Sequence, residues 1–164
     1  MRLCFVVQRY GLDVTGGAEL HCRWLAGRLA QSHDVRVVTT CARDYVDWRN
    51  HYPVGQSEVS GIPVSRYPVQ RRRDHQAFSA LSRLVFDEQH TPGDERRWMV
   101  ENGPICPELV DSLAPMGDVD LFIFYCYRYY QSFFGIPRVA EDHAIRAVRT
   151  AVAMQSTFRD LADR

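Results

Sequence analysis

The sequence predicts an α/β fold with a doubly wound, mostly parallel sheet around one core. Three observations predict it. Leu3-Cys4-Phe5-Val6-Val7 is an unbroken apolar run, the pattern of a parallel strand covered on both faces. A helical stripe of Ala18, Cys22, Leu25 and Leu29 follows from Gly17, and a second β-branched run, Val35 to Thr40, comes after the break at His33-Asp34. Strand, helix and strand in that order describe a parallel unit with a right-handed crossover. With 164 residues, 46% of them hydrophobic, the chain suits a single soluble domain.

Taken in order, the first strand ends in the polar stretch Gln8-Arg9-Tyr10, and the first helix offers an i, i+4 pair between Glu19 and Arg23. Cys41 to Ser57 reads as a long polar and aromatic loop containing Asp44, Tyr45, Trp48 and Tyr52, and connections of that length are more often functional or disordered than idle. Glu58-Val59, a turn at Ser60-Gly61, and Ile62 to Tyr67 read as a pair of short edge strands or one strand broken by a bulge, ended by Pro68. Helical patterns at Phe78–Phe86, Asp94–Val100 and Pro107–Leu113, separated by Thr91-Pro92-Gly93 and Gly103-Pro104, are expected to cross one face of the sheet. Val119 to Tyr125 is the best later strand, and a helix-like aromatic segment from Tyr127 to Phe134 is expected to stop before Gly135 and Pro137. Phe133 and Phe134 are expected in the core. Residues 1–139 form the domain, and 140–164 read as its degenerate or truncated tail.

Composition removes several function classes. Twenty basic residues balance twenty acidic ones, so the chain as a whole offers no field for a polyanion, and nucleic acid is not an expected partner. All the basic residues are arginine, which excludes a Schiff-base lysine and a phosphate-loop lysine. Five scattered cysteines, without a C-x-x-C pair or matching histidines, suit a reducing cytoplasmic compartment and supply no metal site. Arg71-Arg72-Arg73 is the one basic cluster, a weak signal for peripheral contact with anionic lipid at the inner face of a membrane.

The most informative motif is Thr15-Gly16-Gly17-Ala18-Glu19, between a buried strand and the first turn of an amphipathic helix. Paired glycines let a ligand approach the backbone, and the free N–H groups of a helix start favour phosphate or carboxylate. Gly17 is expected to hold an unusual backbone angle there. The same loop lacks G-x-G-x-x-G spacing, which disfavours a dinucleotide cofactor.

These residues also carry a resemblance. Val6-Val7-Gln8-Arg9-Tyr10-Gly11, Gly16-Gly17-Ala18-Glu19-Leu20-His21, Val37 to Ala42 and Asp44-Tyr45 resemble the opening of bacterial retaining glycosyltransferases of the GT-B fold, the group-one, family-four-like enzymes. Trp48, Tyr52-Pro53, Gly55, the Glu58-to-Pro68 strand pair and the Phe122-to-Tyr130 segment extend it to about Val139.

The resemblance implies a Rossmann-like, N-terminal half of a GT-B architecture, binding the acceptor and facing a donor-binding domain across a cleft. Gly16, Gly17 and Ala18 would then face the donor diphosphate, and Tyr10, Asp44, Tyr45, Trp48 and Tyr127 would bind the acceptor, with Tyr125, Tyr129 and Tyr130 as further tyrosines near it. The nucleotide-sugar is a co-substrate, the acceptor a glycan, lipid or small molecule, and no cofactor or metal is needed. The donor half and the usual Pro-Thr-Ala stretch with its acidic and histidine groups have no counterpart after Val139, so the chain alone is expected to transfer no sugar. The alternative is a non-catalytic Rossmann-like binding or interaction module that keeps the glycine loop as architecture.

Overall fold

A computed structural model of the chain describes residues 1–142. In chain order the elements are β1 (Arg2–Val6), α1 (Gly17–Leu29), β2 (Asp34–Thr40), β3 (Gly55–Val59), β4 (Ile62–Tyr67), α2 (His75–Asp87), α3 (Pro92–Asn102), α4 (Pro107–Leu113), β5 (Leu121–Phe124) and α5 (Tyr130–Asp142). The strands form one sheet in the order β3-β4-β2-β1-β5. β1 pairs in parallel with β2 and with β5, β2 pairs in parallel with β4, and β3 runs antiparallel to β4 at the edge. The expected α/β class and mostly parallel sheet are present.

Alternation along β1 explains its unbroken apolar run. Leu3, Phe5 and Val7 join Val35, Val37, Ile62 and Val64 under Cys22 and Ala26 of α1. Cys4 and Val6 face the other way, with Val38 and Phe122 beneath Leu109 and Leu113 of α4 and Val139 of α5. The central strand is therefore covered on both sides, which is what makes every one of its inner positions apolar.

Two expectations about helices need correction. α2 and α3 do not cross the sheet; α2 buries no residue, and the pair close on each other. Trp98 sits between Phe78 and Phe86, at ring-centroid distances of 6.0 and 5.3 Å, and its indole N–H donates to Ser82 Oγ at 2.9 Å. Their starts are fixed locally: Asp74 accepts from the backbone N–H groups of Gln76 and Ala77, and Thr91 and Asp94 form a capping box with Pro92 at the first helical turn.

The aromatic segment does not stop at Gly135. α5 begins at Tyr130 and runs through Gly135 and Pro137 to Asp142. A Cβ at Gly135 would lie 2.9 Å from Phe124 Cε1 and 3.1 Å from Leu113 Cδ1, so the glycine lets α5 seat against β5 and α4. Pro137 removes one ladder bond, which the burial of Val139 offsets. Phe133, expected in the core, is 38% exposed. Most of the 140–164 tail lies outside the described residues.

Candidate functional site

The parallel strands end on one edge of the sheet, and the strand order reverses between β1 and β5. Ligands of open α/β sheets bind in the crevice beyond such a reversal. The segments that follow β1 and β5, Gln8 to Gly16 and Tyr125 to Tyr129, meet there. Gln131, fully buried, donates through Nε2 to Gln8 Oε1 and to the Tyr125 carbonyl, both at 3.3 Å.

The glycine loop is held by a buried ion pair. Glu19 is 3% exposed and Arg9 5%, and three donors converge on Glu19 Oε1: Gln8 Nε2 at 2.8 Å, Arg9 Nε at 2.9 Å and Arg9 Nη2 at 2.5 Å. Arg9 also donates to the carbonyls of Thr15 and Arg43. The expected Glu19–Arg23 pair on the helix surface does not form, because Glu19 turns inward to the buried guanidinium. Arg23 instead donates to the carbonyls of Gly11 and Val14, at 2.7 and 2.8 Å, bracing the loop from its other side.

This arrangement leaves the start of α1 without a cap. Gly16 is the N-cap residue, and among the described residues no side chain accepts from the first-turn N–H groups. The first-turn carboxylate that sequence statistics would assign to that role is occupied by Arg9 and Gln8. Of the two glycines, Gly16 carries the special backbone, with φ +154°, and a Cβ there would collide with Glu19 Oε2. Gly17, expected to hold that angle, does not. It is exposed, and a Cβ added to it would meet nothing within 4 Å. Gly16 thus serves the fold, while Gly17 opens the helix start to whatever approaches from outside. Ala18 is half-buried and packs on the core beneath α1.

The acceptor candidates divide. Tyr45 and Tyr127 are 56% and 68% exposed, on loops at the carboxyl edge, and the Arg9 guanidinium lies 5.3 Å from the Tyr45 ring centroid. Tyr10 and Trp48 are each only 1% exposed, so neither offers a face to a ligand in this structure. Tyr10 packs in the core under α1, where burial pushes its hydroxyl up to about 12. Trp48, at φ +59°, donates its indole N–H to the Asn102 carbonyl at 2.7 Å and meets Tyr129 edge-on at 5.4 Å. An aromatic ring in a polar loop suggested a ligand platform; a distant carbonyl and the close backbone of Gly103 draw it inside. Asp44 accepts from the backbone N–H groups of Val46 and Asp47; burial acts to raise its carboxyl, and those bonds outweigh it and hold it low. Tyr125 and Tyr129 are buried too.

Other chemistry narrows further. Burial pushes the thiols of Cys4 and Cys106 up to about 12, which leaves neither as a nucleophile near neutral pH. Among the described residues no group of three His, Cys, Asp or Glu side chains gathers as a metal site, and no helix is long and apolar enough to cross a membrane. Each arginine of the basic run finds an internal partner: Arg71 with Glu101, Arg72 with Asp47, and Arg73 with the Asn102 carbonyl at 2.6 Å. A shallow groove of about 300 Å³ between Trp48–Asn50 and Val69–Arg72 shares no residue with the glycine loop. The sequence names Glu19 in the glycine motif and as a surface partner of Arg23, and Arg9 in the polar stretch after β1, but assigns neither to a buried pair, and Gln131 is not named there. The only available signal was the polar pair Gln8-Arg9 directly after an apolar strand.

The site so far defines a class: a Rossmann-like sheet with an uncapped, glycine-lined helix start beyond the carboxyl end of its inner strand β1. No protein-family model, curated protein or solved structure matches this chain. The functional reading rests on the site and on the resemblance of its residues.

Proposed function

We propose that this chain is the acceptor-side, N-terminal domain of a retaining GT-B glycosyltransferase, with the start of α1 facing the diphosphate of a nucleotide-sugar. The observation that carries the reading is the open helix start, where among the described residues no side chain caps α1, Glu19 is engaged elsewhere and a Cβ at Gly17 would meet nothing. When the bond from the anomeric carbon to the diphosphate oxygen breaks, negative charge collects on the leaving group. Oriented backbone N–H groups and the positive end of the helix dipole stabilise that charge. Because Arg9 neutralises Glu19, the first turn adds no net negative charge against it. Tyr45 and Tyr127 are the exposed rings suited to stack on a sugar acceptor.

The test is transfer by this chain fused to the donor-binding domain of a GT-B enzyme, comparing the parent with Gly17→Val. A side chain at Gly17 fills the approach to the N–H groups, and loss of one such donor costs roughly 2.7–4 kcal/mol of transition-state stabilisation. Transfer should fall by that amount while melting changes little. Equal transfer by parent and variant would make the loop architectural. That outcome favours a non-catalytic interaction module, a reading to which the exposed Trp24 and Leu12, at 68% and 73%, lend support.

A further inference from the structure

Arg66, near the end of β4, is 3% exposed. Among the described residues its guanidinium forms no ion pair and no hydrogen bond, and its Nη1 is buried without a partner. A buried cation is costly unless it is paired, so a fold that retains one has a use for it. On the neighbouring strand its register partner Thr39 is fully buried, and among the described residues Thr39 Oγ1 also has no partner. On the other side its register partner is Gly55, which adds no side chain.

One ring lies over the guanidinium, and Cys41 and Tyr10 also act on its charge. Tyr52 lies 4.1 Å from Arg66 Cζ to its centroid and is half-buried. Its hydroxyl donates to Asp13 Oδ1 and presses against Gly11, both in the glycine loop. Asp13 is exposed and pairs at 3.8 Å with Arg43, and its charge acts on Arg66 less than those of Tyr52 and Cys41. Burial pulls the Arg66 pKa down, in keeping with a cation held away from solvent.

We propose that Arg66 and Thr39 form an oxyanion site roofed by Tyr52, which accepts the phosphate or carboxylate of a small ligand when the Tyr52–Asp13 bond opens. Forked guanidinium donors and a hydroxyl donor match the oxygens of such a group. Asp13 is the internal carboxylate that the ligand displaces from the vicinity. The proposal does not depend on sugar transfer.

The experiment uses the full chain, titrated with sodium phosphate and separately with sodium acetate, each against sodium chloride at matched ionic strength to remove screening. The readouts are the Arg66 Nε–Hε resonance and thermal melting. Phosphate, acetate or both should shift the resonance saturably and raise the melting temperature, and the arm that responds names the group. Tyr52→Phe keeps the ring, frees the roof from Asp13 and should tighten binding about threefold. Arg66→Met should melt at or above the parent in chloride and lose the anion response. A resonance that follows neither anion beyond chloride overturns the proposal, as does a melting response that survives in Arg66→Met. If Arg66→Met does not fold, the parent resonance and Tyr52→Phe decide it.

Discussion

Replacing Glu19 by Gln isolates the ion pair that holds the glycine loop. The side chains of Arg9 and Glu19 are only 7% and 4% exposed, so solvent does little to screen the pair. The variant keeps an acceptor oxygen for Gln8 and Arg9 but leaves a buried guanidinium uncompensated. Removing one partner of a buried pair costs about 3–5 kcal/mol, and the retained acceptor argues for the lower end, about 3 kcal/mol. For a chain of this size that corresponds to a fall in melting temperature of about 6–12 °C. Urea unfolding with an unchanged m-value measures the free energy, and Arg9→Met with Arg9→Met/Glu19→Gln completes a double-mutant cycle. The coupling energy should be about 1–3 kcal/mol. The double variant should recover only part of the loss, because Arg9 also holds the carbonyls of Thr15 and Arg43. A Glu19→Gln protein within about 0.5 kcal/mol of the parent, with no coupling, would refute the view that this pair positions the loop.

Three further outcomes follow from the same geometry. Gly16→Ala, at φ +154° and against Glu19, should destabilise the chain by about 1–3 kcal/mol, whereas Gly17→Ala should leave it unchanged or more stable by about 0.4–1 kcal/mol; thermal melting of the two separates the structural glycine from the open one. Trp48→Ala should cost about 3–5 kcal/mol, while Tyr45→Ala and Tyr127→Ala stay within about 0.5 kcal/mol and reduce acceptor binding, as read by denaturation and by glycan titration. The hydrogen bond from Tyr52 holds the Asp13 carboxyl below its ordinary value, Arg43 adding to it; a carboxyl depressed in the folded state stabilises above its unfolded pKa and loses that contribution as pH falls through the folded one. In Tyr52→Phe the Asp13 carboxyl should titrate closer to the ordinary value, and an unchanged NMR titration would show that the bond does not form.

The parts of the fold legible in the sequence were those set by local pattern. β1, α1 and β2 announce themselves by period, the β3–β4 hairpin by its Ser60-Gly61 turn and Pro68, and β5 by its apolar run. Partners distant in sequence decided the rest. The period of α2 and α3 reports an apolar face without saying what covers it, and here each helix covers the other through Trp98. Gly135 and Pro137 look like breakers until Phe124 and Leu113 are placed against them. Within the site, Gly16 and Gly17 were found by motif, but which of them the fold requires depended on where Glu19 goes. Trp48 and Tyr10 looked available as isolated letters; Asn102 and the core under α1 remove both from the surface.

Arg9 reaches three pieces of backbone and side chain at once: the Thr15 carbonyl, the Arg43 carbonyl and Glu19 in α1. Mechanically, the glycine loop and the segment that carries Tyr45 are therefore a single hinge plate and not two independent flaps. A ligand that displaces one edge of the plate does work on the other. In the proposed role, any coupling between a species at the helix start and one stacked on Tyr45 would be reciprocal, each changing the other's affinity by the same factor.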